Sequence, residues 1–109
     1  MADAYKTIYQ GQLPNAVATI ATVGGGKSWI IRSVVVVNTD TATRTFQVLI
    51  GGTVDANTWI GTSNDPISLR RGETYEWDGV IALAAAETIA GVASVASKLT
   101  ITISGDEVS

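Results

Sequence analysis

The stretch over residues 28–50 constrains the fold more than any other. It runs SWIIRSVVVVN, breaks into short polar residues, and resumes as TFQVLI. Residues 29–37 are almost wholly apolar and rich in branched side chains, which pack well on a pleated surface. They predict a strand buried on both faces and placed centrally, with the other strands packed on it. Residues 38–42 carry Asn, Thr and Asp, whose side chains bond their own backbone and favour turns. Residues 43–50 then alternate, with Arg44, Phe46, Val48 and Ile50 on one face. The pattern predicts a hairpin with a loop of about five residues.

The rest of the chain punctuates in the same way. Residues 5–10 alternate and predict a first strand; residues 11–15 contain Pro14 and predict a turn or edge. Residues 16–23 predict a second strand, and 24–27 a glycine-rich turn. Beyond Gly51 and Gly52, residues 53–62 carry Trp59 and Ile60, a short strand within a longer excursion. Residues 63–66 form a turn, 67–69 a short strand, 70–73 a charged turn and 74–77 another short strand. Asp78-Gly79 is a hairpin signal, and the next strand starts at Val80. Residues 84–98 fit either strand, turn and strand, favoured by Gly91 and the branched residues, or a helix, favoured by the alanines. In the last strand Leu99, Ile101 and Ile103 face inward, and residues 105–109 form an acidic tail. The expectation is an all-β fold: a single-domain β-sandwich or jelly-roll-like fold over residues 1–109, with eight or nine short antiparallel strands.

Composition agrees. Thr, Val and Ile make up 37 of the 109 residues, and there are 11 glycines. A chain of this length buries roughly 60–65% of its unfolded surface, so its own core is modest. Yet only 16% of residues are charged, against about 25% in ordinary soluble domains. The deficit implies that another chain covers part of the surface. The net charge is −3 with no basic run, so no nucleic-acid footprint is present. There is no cysteine, hence no disulfide. The apolar runs fall far short of the roughly 20 residues of a membrane span. Asp3, Lys6 and the lack of an apolar block argue against a signal peptide at the start.

One formal motif occurs. Residues 21–28, ATVGGGKS, satisfy a relaxed phosphate-loop pattern. That chemistry needs a helix next, so that amide dipoles converge on phosphate. A strand-like run follows instead, so the segment is read as a β-turn. Without His or Cys, the commonest general bases and thiol nucleophiles are missing. Glu73, Glu76 and Asp78 lie close together, with Glu76 and Asp78 on one strand face. They are read as a solvated strand edge that discourages stray pairing; calcium binding or hydrolysis remain alternatives. Arg70 and Arg71 are solvent charges or rim contacts to a partner. Arg32 shares a face with Ile30, Val34 and Val36, so it is either exposed or paired with a carboxylate. It is read as the edge of a subunit contact. Trp29, Trp59 and Trp77 are core residues or interface anchors.

The chain resembles a family of short virion proteins of tailed bacteriophages, found among head and minor tail genes. The resemblance is carried by YQGQLP at 9–14, VNTD at 37–40, TFQV at 45–48, ISLRRGET at 67–74, LAAAETIAG at 83–91 and ASKLTITISGDE at 96–107. Relatives tend to carry Pro-Ala or similar turn residues where this chain has Gly24 to Gly26. The resemblance implies a β-sandwich that decorates the capsid or joins tail fibres and baseplates, and it supplies no active-site residues. It gives the leading expectation: a non-enzymatic capsid decoration, or cement, protein on the outer surface of the head. Such a protein clamps neighbouring major capsid subunits, as a homotrimer and without a cofactor, with Arg32, Trp59, Arg70, Arg71 and Trp77 as contact residues. A minor tail or adsorption component is the alternative. A carbohydrate- or calcium-binding module using Trp59, Trp77 and the 73–78 carboxylates is a further one.

Overall fold

The computed structural model describes residues 3–51 and 57–109, with residues 3 and 4 described by backbone alone. It is all-β, with nine strands among the described residues: β1 Asp3–Gln12, β2 Ala18–Thr22, β3 Ser28–Asn38, β4 Arg44–Ile50, β5 Thr58–Ile60, β6 Ile67–Leu69, β7 Thr74–Leu83, β8 Thr88–Ala93 and β9 Leu99–Val108. They form two antiparallel sheets. One has the order β1-β9-β3-β7; the other has the order β2-β8-β4-β5, with β6 also on β4.

This order has a simple origin. β1 pairs with β9, β2 with β8, β3 with β7, and β4 with β5 and β6. The chain is thus one long hairpin with its tip at β5 and β6, rolled up so that β9 also meets β3 and β8 also meets β4. That is the jelly roll. Every connection except β4 to β5 and β5 to β6 crosses from one sheet to the other. Each strand therefore turns one face inward, and the inner faces make one core. Ile31, Val34 and Val36 of β3 meet Leu99, Ile101 and Ile103 of β9, opposite Phe46 and Val48 of β4 and Ile89 of β8. All are essentially sealed from solvent, worth about 1.5–3 kcal/mol for each large side chain.

The central position of β3 explains the main departure from expectation. A strand has two edges, and those of β3 are taken by β9 and β7. None is left for β4, so β3 and β4 are not a hairpin. The polar break is a corner between sheets, built on Asn38, the buried polar residue among those described. Its Nδ2 donates to the Ala42 and Leu69 carbonyls, both at 2.9 Å, and its Oδ1 accepts from the Asp40 amide at 2.8 Å. Asp40 in turn accepts from the Arg44 Nε at 2.7 Å, pinning the start of β4.

β3 is also buried on one face only. Trp29, Ile31, Val34 and Val36 point inward, while Ile30, Ser33, Val35 and Val37 are half-covered and Arg32 is exposed. The inward spacing changes between Ile31 and Val34 because the register of β3 shifts between Ile31 and Ser33 against both neighbours. One extra residue flips every later side chain to the other face. Arg32 therefore leaves the face of Val34 and Val36, where strict alternation put it. The shift lies level with another, between Thr7 and Tyr9 in β1, and β9 answers it with Gly105, opposite both Ile31 and Lys6.

Two further segments differ from expectation. Asp78-Gly79 makes no hairpin: β7 runs through it, and the pair lies at the irregularity facing Arg32. Residues 105–108 are the end of β9 rather than a free tail. Residues 84–98 contain no helix. They form a turn, β8 and a second turn, with Ala86 and Ser97 in the left-handed backbone region. Part of the expected excursion over 53–62, and Gly52 before it, lie outside the described residues.

Candidate functional site

The residues expected to make contacts fall in three places. Arg32 stands on the outer face of the β1-β9-β3-β7 sheet. Its Nε donates to Asp106 Oδ2 at 3.0 Å, and its Nη2 lies 3.0 Å from the same oxygen. The pair joins β3 to β9 directly, since Ile30 and Asp106 are register partners. Half of the Arg32 side chain remains exposed, so the guanidinium is paired without being sealed. Around it lie Ile30, Val35 and Val37 of β3 and Thr100, Thr102 and Ser104 of β9, all half-covered. Val80, 66% exposed, stands on neighbouring β7. This face mixes branched apolar side chains with hydroxyl and charged ones.

Trp59 and Trp77 are brought together. They come from β5 and β7, edge strands of different sheets, and both pack against the core. Their rings meet edge to face with centroids 5.0 Å apart, a geometry that aligns the positive rim of one ring with the negative face of the other. The Trp77 ring lies over Gly79, where a Cβ would approach it to 2.7 Å. Trp29, far along the sandwich, is a core residue with one polar link: its Nε1 donates to Glu107 Oε2 at 2.9 Å.

Arg70 and Arg71 form the turn between β6 and β7, well away from Arg32 in the chain. Glu73 Oε1 accepts the Arg70 amide at 2.8 Å, closing the turn, and sits 3.9 Å from the exposed Arg70 guanidinium. Arg71 projects into solvent with no ion pair among the described residues. Glu76 and Asp78 face outward on β7. Among the described residues no three acidic groups come close enough to hold a metal ion, so the 73–78 carboxylates do not gather into a calcium site. Nor does the Gly24–Gly26 segment cradle phosphate. It is a turn closed by the Lys27 amide on the Gly24 carbonyl at 3.2 Å, and β3 follows it directly.

Sequence reasoning missed the electrostatic knot at one end of the sandwich. Glu107, assigned to a tail, accepts from Trp29 and from Lys6 Nζ at 3.1 Å, with Lys27 Nζ 3.7 Å away. The indole hydrogen bond, then Lys6 and Lys27, hold its carboxyl below the usual carboxylate range. Asp40 is lowered as well, first by the Thr41 amide and then by Arg44. The apolar alternation of β9 ends at Ile103, so no local pattern pointed to Glu107.

These features define a class: a jelly-roll sandwich with one open β-branched face, a paired arginine on that face and charged turns at its rim. No protein-family model matches the chain, and no curated protein matches it in sequence. Solved structures similar to it include the infectious bursal disease virus T13 particle (13% identity, TM-score 0.44), covering 96% of this chain and 30% of that one. A pentameric capsid protein isolated from metagenomic phage sequences shows 19% identity and a TM-score of 0.33, over 93% of this chain and 59% of the other. The infectious bursal disease virus Gt strain shows 11% identity and a TM-score of 0.32, over 97% and 32%. The chain thus spans less than two-thirds of each of these proteins. Likenesses this distant carry no weight for its role, and the jelly-roll assignment rests on strand order alone.

Proposed function

We propose that this chain is a non-enzymatic structural protein of a bacteriophage virion and, within that class, a capsid decoration or cement protein. The observation that carries the reading is the open face of the β1-β9-β3-β7 sheet. Ile30, Val35 and Val37 line it at half coverage, in a chain with only 16% charged residues. A face like this gains when another protein covers it, at about 25 cal/mol per Å² of apolar surface. Jelly rolls serve capsid proteins, lectins and cupins alike. A cupin-type metal centre built on histidines is not available to a chain without histidine, and the resemblance to short phage virion proteins favours the capsid reading.

In this reading the sandwich clamps neighbouring major capsid subunits on the outside of the head, as a homotrimer. Arg32, Arg70 and Arg71 make polar rim contacts, and the accessible edges of Trp59 and Trp77 add apolar ones. Each contact is weak, and repetition over the shell makes the sum strong. The test is to locate and count the protein on purified particles by electron microscopy and quantitative mass spectrometry. A copy number comparable with that of the major capsid subunit, and heat-sensitive heads when the protein is missing, are expected. A handful of copies at the tail favours the minor tail reading. Heads equally stable without it overturn the cement role.

A further inference from the structure

The chain has seven cations. Ion pairs among the described residues take up all of them except Arg71 and Lys98. These two share one end of the sandwich, where β3 stops. There the Asn38 carbonyl accepts the Gly72 amide at 3.2 Å, and the Thr39 amide and hydroxyl donate to the Lys98 carbonyl at 2.9 and 2.8 Å. The β6–β7 turn and the β8–β9 turn are thereby held against one corner. Asp40 at this end is taken by Arg44, and Glu73 lies against Arg70. Arg71 and Lys98 are left as exposed, spare positive charges.

A matching pair of spare negative charges lies on the outer face of β7. Glu76 and Asp78 are register partners of Val35 and Ser33, so they share the outward face at a spacing of about 6.6 Å along the strand. Asp106 on the same sheet is engaged by Arg32, whereas Glu76 and Asp78 have no ion pair among the described residues. Val80 follows on the same strand, 66% exposed, and Val35 beside it is half-covered. β7 is the edge strand of its sheet, so this acidic stripe runs along the flank of the molecule, open to a neighbour.

We propose that the basic end of one copy docks on the acidic flank of a second copy of this chain. Arg71 and Lys98 then meet Glu76 and Asp78, with Val80 and Val35 covered between them. The contact joins two different surfaces, so each copy offers both halves and copies link head to tail. It specifies the self-contact of the homotrimer proposed above and rests on that reading only for the number of copies. Each copy as a whole carries a charge of −3 and repels another. Salt therefore strengthens any association that lacks complementary patches and weakens one that is built on them. Exposed ion pairs are individually weak, so the contact also needs the apolar cover over Val80 and Val35.

The test is sedimentation velocity of the full chain over a concentration series. Reversible association is expected at about 0.1 M salt, weakening at least about tenfold at about 1 M, where the screening length falls from about 10 Å to about 3 Å. Arg71→Glu and Glu76→Lys, both at exposed positions, are each expected to stay monomeric. Their equimolar mixture associates again, because Arg71 of one meets Glu76 of the other. Asp65→Lys, an equal charge reversal on the loop between β5 and β6, leaves association unchanged. A monomer at every concentration, association that strengthens with salt, a mixture that stays monomeric, or a loss in Asp65→Lys equal to that in Arg71→Glu each overturn the proposal. Association by this contact in a protein absent from purified particles keeps the inference and removes the virion reading; a monomer found on particles does the reverse.

Discussion

Trp59 and Trp77 are edge-to-face partners contributed by different sheets, with ring centroids 5.0 Å apart. They close the sandwich where β5 and β7 run along its side. The Trp59 Nε1 is buried there without a hydrogen-bond partner. Its ring therefore stabilises the fold while its N–H opposes it. Trp59→Phe keeps an aromatic contact and removes the unpaired donor, so stability stays within about 1 kcal/mol of the parent. Trp59→Ala leaves a cavity and costs about 3 kcal/mol. Urea unfolding of the two variants separates ring from N–H.

Gly105 has no room for a side chain. A methyl group there overlaps the Ile30 carbonyl oxygen and comes within 3.0 Å of the Ile31 Cα, and both obstacles are backbone. Gly105→Ala is expected to cost about 2–3 kcal/mol, because β9 must separate from β3 at the register shift. Gly25→Ala is the control. Nothing lies within 4 Å of its added Cβ and its φ is not positive, so its melting temperature is unchanged or slightly raised.

Asn38→Ala removes the corner that sends the chain from one sheet to the other. It orphans the Leu69 and Ala42 carbonyls and the Asp40 amide, and a loss of about 3 kcal/mol is expected. Asn38→Asp is the sharper probe. Its carboxylate faces two carbonyl oxygens where the parent has an NH₂ group, so repulsion replaces attraction. Protonation restores one donor, so this variant recovers part of its stability as the pH falls, opposite in sign to the parent. Thermal melts of both proteins between pH 7 and pH 4 check it.

The parent weakens in acid, and Glu107 is one reason. Its folded pKa is depressed, chiefly by the Trp29 indole hydrogen bond and then by Lys6. The unfolded chain therefore takes up the proton first. The stabilisation is fully present above the ordinary carboxylate range near about 4.3 and is lost as the pH falls through the lower folded value. Glu107→Gln is expected to melt lower than the parent at pH 6 and to lose less on going to pH 3. The remaining slope belongs in part to Asp40, lowered by the Thr41 amide and Arg44. Trp29 fluorescence follows the same transition.

Much of this architecture was legible because strand alternation reports burial directly. Leu99, Ile101 and Ile103 are inward and sealed as the pattern predicts, and β3 is an interior strand. What failed was any inference that depended on where the chain turns. Turn-forming residues occur both in hairpins and at corners between sheets, and residues 38–42 do not reveal which. The alternation rule also carries no warning of a bulge, so Arg32 was assigned to the wrong face. Leu13, beside Pro14, reads as turn but is core; it lies against Gly91, where a Cβ would approach its Cδ2 to 2.6 Å.

Because β1 is hydrogen-bonded to β9, the first sheet stays incomplete until the last strand has left the ribosome. β1 must wait for β9 while β4, β5 and β6 can pair earlier, and that long-range closure slows folding. Until β9 arrives, the edges of β1 and β3 that it will cover stay open to stray pairing.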